Sequence, residues 1–262
     1  MSLHSTIHIY TKEEIETLRE GGVLLAGILK VLSEEAIEGV STADLDIRAH
    51  DLSIEAGAVP AFLNYKPEGA KTPFPGSICI SINDEVVHGI PNKNPKTLKK
   101  GDVVVLDMGL KYKNMFTDSA VTLVVGGDEA NPVGARMIAL AYQALDKAIN
   151  TVKPGVRTGT IGQAIESVVI GKYTMPIELG GHGIGHAIHE DPFMPNFGKK
   201  GEGPMLREGM VIAIEPILTE KKPRIKLASD GYTYVTADGG LSVHVEHTIV
   251  VTKDGAEILT KI

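Results

Sequence analysis

The stretch 101-GDVVVLDMGLKYKNMFTDSAVTLVV-125 reads as two apolar strands, over 102–110 and 115–125, joined by a short polar turn. A turn at Tyr112–Lys113 sets Asp107 opposite Asp118 across the hairpin, with Cβ atoms roughly 5 Å apart. An unpaired carboxylate buried in an apolar strand is costly. Two that face each other repel, and the hairpin is destabilised unless a cation lies between them.

Working outward, the chain repeats itself. Upstream, 11-TKEE-14 has the pattern of a capping box, and apolar residues recur at helical spacing through Leu32. A second helix, 43-ADLDIRAHDLSIEAG-57, and a strand, 78-ICISI-82, follow. Downstream, a helix covers 136-RMIALAYQALDKAIN-150, and 154-PGVRTGTIGQAIESV-168 matches 38-EGVSTADLDIRAHDL-52 in length and pattern. Strand-like runs then recur at 178-ELGGHGIG-185, 209-GMVIAIEPIL-218 and 242-SVHVEHTIVVT-252. The reading is an α+β chain, one domain over 1–262, internally duplicated. Its helix-helix-strand halves, about 8–128 and 131–262, join near Gly126–Val133.

Polar positions follow the repeat. Asp107 closes 101-GDVVVLD-107 as Glu215 closes 209-GMVIAIE-215, and Asp118 opens its strand as Glu246 opens 246-EHTIVVT-252. His88 in 88-HGIP-91 corresponds to His189 in 189-HEDP-192. Seven residues before each stand Ser81 and His182, so His182 has no histidine counterpart. Four recurring carboxylates without a matching run of lysine or arginine need a common partner, and two divalent cations would neutralise them. Oxygen-rich ligands with one imidazole suit Mn²⁺, Fe²⁺, Co²⁺ or Zn²⁺, and the lack of thiolates argues against a structural zinc. Paired metals activate water and polarise carbonyls, which is hydrolytic chemistry.

Other chemistries fit less well. The histidine-rich 180-GGHGIGHAIHEDP-192 lacks the Gly-Lys-Ser/Thr or GxGxxG pattern of a phosphate loop, and no GxSxG nucleophile motif occurs. Cys79, the single cysteine, lies within ICISI and reads as a core residue. It rules out an internal disulfide and fits a reducing compartment. The net charge of −7 argues against a DNA-binding face, although 221-KKPRIK-226 is locally basic. The opening MSLHSTIHIYTKEE has no leader pattern, and 23-VLLAGILKVL-32 is too short to span a bilayer. A cytoplasmic protein is expected, without a membrane partner.

The motifs 83-NDEVVHGIP-91, 107-DMGLKYKNMFTD-118, 181-GHGIG-185 with 189-HEDP-192, 213-AIEPIL-218 and 245-VEHTIVV-251 together resemble those of bacterial type I methionine aminopeptidases, over residues 8–262. The resemblance implies a pita-bread fold, with two pseudo-symmetric halves around a central antiparallel sheet. It implies two metal ions on Asp107, Asp118, His182, Glu215 and Glu246, of which Asp118 and Glu246 bridge both. It further implies peptide contacts from His88 and His189, and a methionine pocket from Phe62, Tyr65, Cys79 and Tyr232. Phe62 stands where a small residue is common, Tyr232 where Trp can occur, and 66-KPEGAKTPFPG-76 is longer than in some members.

The implied activity is removal of N-terminal methionine from peptides and nascent proteins, preferably before a small second residue. The resemblance implies that a metal-held hydroxide would attack, Glu215 would shuttle a proton and His189 would stabilise the oxyanion. Glu215 and Glu246 are too close in sequence for the insertion that marks type II enzymes. A monomer with a weak ribosome contact through Lys221, Lys222, Arg224 and Lys226 is expected. His186 matches no motif position and reads as structural. The alternatives are an Xaa-Pro peptidase of the prolidase type and an inactive binding module on the same fold.

Overall fold

The computed structural model describes residues 7–67 and 69–261. The stretch read for a leader includes residues 1–6, which lie outside the described residues, as does Glu68 in the 66–76 stretch.

Among the described residues four α-helices form: α1 (Lys12–Glu35), α2 (Thr42–Glu55), α3 (Pro132–Thr151) and α4 (Thr158–Val169). The expected capping box starts α1: Glu14 N–H donates to Thr11 Oγ1 at 3.2 Å, and Thr11 N–H donates to Glu14 Oε2 at 2.8 Å. Asn131 caps α3, accepting from Gly134 N–H at 3.0 Å, and Pro132 occupies the first helical turn, where a missing N–H costs nothing. Glycine at position 22 lets α1 lie flush on the chain end, since a Cβ there would meet the Leu259 carbonyl oxygen at 2.3 Å.

The helices cover one large antiparallel sheet. Its central run is Val103–Tyr112, Met115–Val124, Glu246–Val251, Val211–Ile214, Gly180–Gly183 and Glu190–Pro195, in spatial order. Alternation sorts the hairpin's side chains. Val104, Leu106, Met108 and Leu110 pack against Leu25, Leu29, Leu32, Leu45 and Ala49 of α1 and α2. The odd positions, Asp107 and Gly109 among them, point to the other face. In the second half Met137, Leu140, Leu145 and Ile149 of α3 and Ile161 and Ile165 of α4 pack with Ile212, Ile214 and Ile249.

The hairpin turns one residue later than the sequence suggests. Tyr112 pairs with Met115, and the turn residues Lys113 and Asn114 have φ of 45° and 66°. Two consecutive positive φ values make the tight hairpin loop whose twist matches the strands, and Asn tolerates that conformation. The change moves the register by two, so Asp107 faces Ala120 and Asp118 faces Gly109. The two aspartates stay on one face but lie diagonal, which relieves the direct opposition expected from the sequence. Two expected strands are also interrupted. The run 209–218 breaks at Glu215 and Pro216, whose ring nitrogen cannot join a ladder, and 242–252 breaks at Val245.

The two hairpin-bearing parts of the sheet meet where Met115–Val124 adjoins Glu246–Val251. The ladder there covers two residue pairs, Glu246–Ala120 and His247–Ser119. Side-chain hydroxyls extend the join: Thr248 Oγ1 accepts from Asp118 N–H at 2.9 Å and donates to the Asp118 carbonyl at 2.7 Å. Ser119 Oγ donates to the Glu246 carbonyl at 2.8 Å, and Thr122 Oγ1 accepts from His244 N–H at 3.2 Å.

Candidate metal centre

The register assembles a carboxylate cluster on this join. Ala120 stands opposite Asp107 on one side and Glu246 on the other, with Asp118 two residues along the same face. Ala120 adds only a methyl between the two acids, so their carboxylates can converge above it. Glu215 follows Ile214, which pairs with His247, and so arrives beside Glu246. His182 comes from the neighbouring strand Gly180–Gly183. Oxygen atoms of Asp107, Asp118 and Glu246 lie within 4.8 Å of one another, as do ligand atoms of His182, Glu215 and Glu246. Glu246 belongs to both sets.

Asp107, Asp118 and Glu246 are 7%, 3% and 2% exposed, and no lysine or arginine among the described residues forms an ion pair with them. Burial pushes Asp107 up to about 7. Burial, then neighbouring carboxylates, pushes Asp118 and Glu246 well above their ordinary range. For Glu215, burial acts upward too, but His244, His182 and His189 together outweigh it and leave the carboxyl below its usual range. His182 Nδ1 is 2.9 Å from the Gly183 carbonyl, which can only accept, so Nδ1 carries the proton. Nε2 is therefore a bare lone pair, 3.7 Å from Glu215 Oε1, the arrangement that suits a metal-binding imidazole.

Five buried side-chain atoms among the described residues lack a hydrogen-bond partner, and three belong to this cluster: Glu246 Oε1 and both ring nitrogens of His244. Unpartnered buried polar atoms are rare without an ion or water to engage them. Together with the lone pair on His182 and the crowded carboxylates, they fit a divalent cation.

The cluster forms the floor of a solvent-open cleft that encloses about 140 Å³. All the residues expected from the sequence line it: Phe62, Tyr65, Cys79, His88, Asp107, Asp118, His182, His189, Glu215, Tyr232 and Glu246. Gly109 makes room for the apolar wall, since a Cβ there would lie 2.9 Å from Phe62 Cε1. Cys79 pairs with Asp107 across the strands, and burial followed by the nearby acids drives its thiol pKa upward. It is an inert wall residue, not a nucleophile.

His88 sits just past the strand Glu85–Val87 with a φ of 60°, a conformation a non-glycine residue adopts at some cost. Gly89 N–H donates to Ser81 Oγ at 3.1 Å, which fixes the turn, while the Thr233 hydroxyl gives its proton to Asp230 Oδ2 at 2.6 Å and lies 3.4 Å from the His88 carbonyl. Ser81, the repeat partner of His182, thus has a backbone role. His189 stands above His182, ring centroids 4.5 Å apart, with Nδ1 3.1 Å from the Tyr65 hydroxyl. Desolvation by the cleft walls and the neighbouring His182 lower its pKa, so it is neutral near pH 7.

Sequence reading missed His244 and Phe74, which also line the cleft. His244 is 2% exposed, with Nε2 3.4 Å from Glu215 Oε2 and 3.8 Å from Glu246 Oε2. Its signal was alternation: two residues before Glu246, it shares that residue's face. Phe74, from the long 66–76 stretch, packs edge-on against Phe62 and Tyr232. Tyr232 closes the stretch by donating its hydroxyl proton to the Thr72 carbonyl.

An apolar cleft ending on a buried carboxylate–imidazole cluster defines a metal-dependent peptidase class. The chain belongs to metallopeptidase family M24, whose model matches residues 16–253, and that family implies divalent metal binding. It is 41% identical to a methionine aminopeptidase of Aquifex aeolicus, over 98% of this chain and 99% of that one. A methionine aminopeptidase crystal structure from Thermotoga maritima superposes with a TM-score of 0.92 at 36% identity, covering 98% of this chain and 100% of that one. A prolidase from Pyrococcus furiosus superposes with a TM-score of 0.74 at 25% identity, covering 97% of this chain and 65% of that one. The fold is the expected pita-bread architecture.

Proposed function

We propose that the chain removes the N-terminal methionine from peptides and nascent proteins, preferably when the second residue is small. The observation that carries this reading is the match to methionine aminopeptidases along essentially their whole length. The match to a prolidase leaves over a third of that chain uncovered, so Xaa-Pro cleavage is the weaker reading.

Asp107, Asp118, His182, Glu215 and Glu246 would hold the divalent ions, two by the charge of the cluster. When bound, the ions lower the pKa of water towards neutrality and polarise the peptide carbonyl. Phe62, Tyr65, Phe74, Cys79 and Tyr232 enclose the methionine side chain, whose flexible thioether adapts to an aromatic pocket. Glu215 takes a proton from the attacking water and returns it to the leaving amine. His244 flanks the Glu215 carboxylate, its Nε2 lying 3.4 Å from Oε2, and favours the charged carboxylate. Tyr65 donates its hydroxyl proton to His189 Nδ1, which leaves the Nε2 proton to stabilise the developing oxyanion. His88 contacts the scissile nitrogen. The chain acts as a cytoplasmic monomer, and the exposed Lys221, Lys222, Arg224 and Lys226 give a salt-sensitive contact with the ribosome.

The test is cleavage of Met-Ala-Ser after exhaustive chelation and after adding back Mn²⁺, Fe²⁺ or Co²⁺. Activity should vanish and return. Retained activity without metal overturns the mechanism, and faster cleavage of Ala-Pro or Leu-Ala peptides overturns the specificity. A metal-loaded chain that cleaves none of them is a binding module.

A further inference from the structure

Outside the cleft, the segment leading into α1 meets the turn that carries His189 at its far end. His8, His186 and Glu190 come together there, with one ligand atom from each lying within 4.8 Å of the others. None of the three belongs to the metallopeptidase cluster. We propose that they form a separate cation site that takes a borderline metal such as Zn²⁺, Ni²⁺ or Cu²⁺.

The surroundings resemble those of a metal site more than a chance surface group. Glu14 Oε1 is 2.8 Å from His186 Nε2. That contact fixes the ring and its tautomer, as carboxylates do behind metal-bound histidines, and leaves Nδ1 as the donor. The Glu190 carboxylate is held at both oxygens, by the Tyr10 hydroxyl at 2.8 Å and the Ala187 N–H at 2.7 Å. Each oxygen keeps a further lone pair. Tyr10 also accepts from His186 N–H at 3.2 Å, so one phenol ties both ligand-bearing residues together. His8 stands edge-on to His186, ring centroids 4.8 Å apart at 88°.

Ligand atoms around a tetrahedral zinc lie roughly 3.3 Å apart, so a cation need draw this group in by only an ångström or so. His8 and Glu190 are half-buried and His186 is exposed, which leaves the remaining coordination position to water. Two imidazoles and one carboxylate favour zinc, nickel or copper over Mg²⁺ or Ca²⁺. Zinc also suits the carboxylate-rich floor of the cleft, so the two sites are told apart by substitutions that remove a ligand from only one of them. A bound ion would clamp the N-terminal segment onto the turn that ends at His189, at a distance from the reacting peptide.

The test is a calorimetric Zn²⁺ titration of the intact chain beside His8→Ala, since both keep the cleft. The wild type should bind one more equivalent than the variant and melt higher at zinc saturation, while Mg²⁺ should add no such equivalent. Glu14→Gln should weaken the extra equivalent about 10–100-fold without abolishing it. His186→Ala is a second variant, should His8→Ala perturb the N-terminal segment, and should also lose the equivalent. Equal zinc stoichiometry in wild type and both variants overturns the proposal, as does Mg²⁺ filling the site equally well. Neither outcome touches the peptidase reading, which is tested by cleavage.

Discussion

The floor and the rim of the cleft are both built from ionisable groups, yet burial drives them in opposite electrical directions. Asp107, Asp118 and Glu246 sit on strands, and burial raises their pKa values. His88 and His189 sit on turns, and burial lowers theirs. Desolvation opposes charge in both cases. On the rim it yields neutral imidazoles suited to hydrogen bonding. On the floor it makes charge untenable without a counter-ion. The floor therefore depends on a cation, and the rim does not.

Substitutions should separate the two. Asp118→Asn removes a carboxylate from the shared set, so metal content should drop and turnover should fall to background. His189→Ala should keep its metal and lose about 10²–10³ in kcat, as for one lost oxyanion donor. Metal analysis beside kcat checks both, and a His189→Ala protein depleted of metal would merge rim with floor.

The next effect is on stability. A carboxyl whose folded pKa is raised favours the folded state below its unfolded pKa, and that contribution is lost as pH rises through the folded value. For Asp107 the window runs from its ordinary value near 3.8 up to about 7. Metal-free protein should therefore lose melting temperature relative to metal-loaded protein as pH rises across that window. Thermal melts at several pH values test this, and a gap that narrows with pH would show that the floor acids are not strained by burial.

The smallest effect belongs to the apolar wall. Tyr232→Phe removes the bond to the Thr72 carbonyl, worth about 1 kcal/mol. It should raise KM a few-fold and leave kcat and metal content unchanged. A change confined to kcat would place Tyr232 among the reacting groups instead.

Much of this was legible in the chain, for physical reasons. A capping box is local, so 11-TKEE-14 could be read directly, and for any two-residue turn a strand's two-residue period keeps Asp107 and Asp118 on one face. Register was not legible, because moving the turn from Tyr112–Lys113 to Lys113–Asn114 shifts the pairing while leaving both faces intact. The asparagine at 114 was the available clue. His244 was missed because a lone histidine in an apolar strand reads as core, and its partner Glu215 is distant in sequence. The break at Glu215–Pro216 was marked by the proline, but the apolar run on either side obscured it. The helix-helix-strand order in both halves of the chain supports the duplication we propose, with the join near Gly126–Val133.

The short ladder between Met115–Val124 and Glu246–Val251 has a consequence for motion. Strand separation at that join is set largely by the hydroxyls of Thr248, Ser119 and Thr122, and the carboxylate cluster straddles it. Cooperative opening starts where backbone protection is thin. Cation occupancy should therefore be written into amide exchange: protection at Asp118, Ser119 and His247 should rise on metal loading, while the interior of the 103–124 hairpin stays unchanged. The metal would then be a rivet across the sheet as well as a reagent, setting how far its two sides can slip past each other during a turnover.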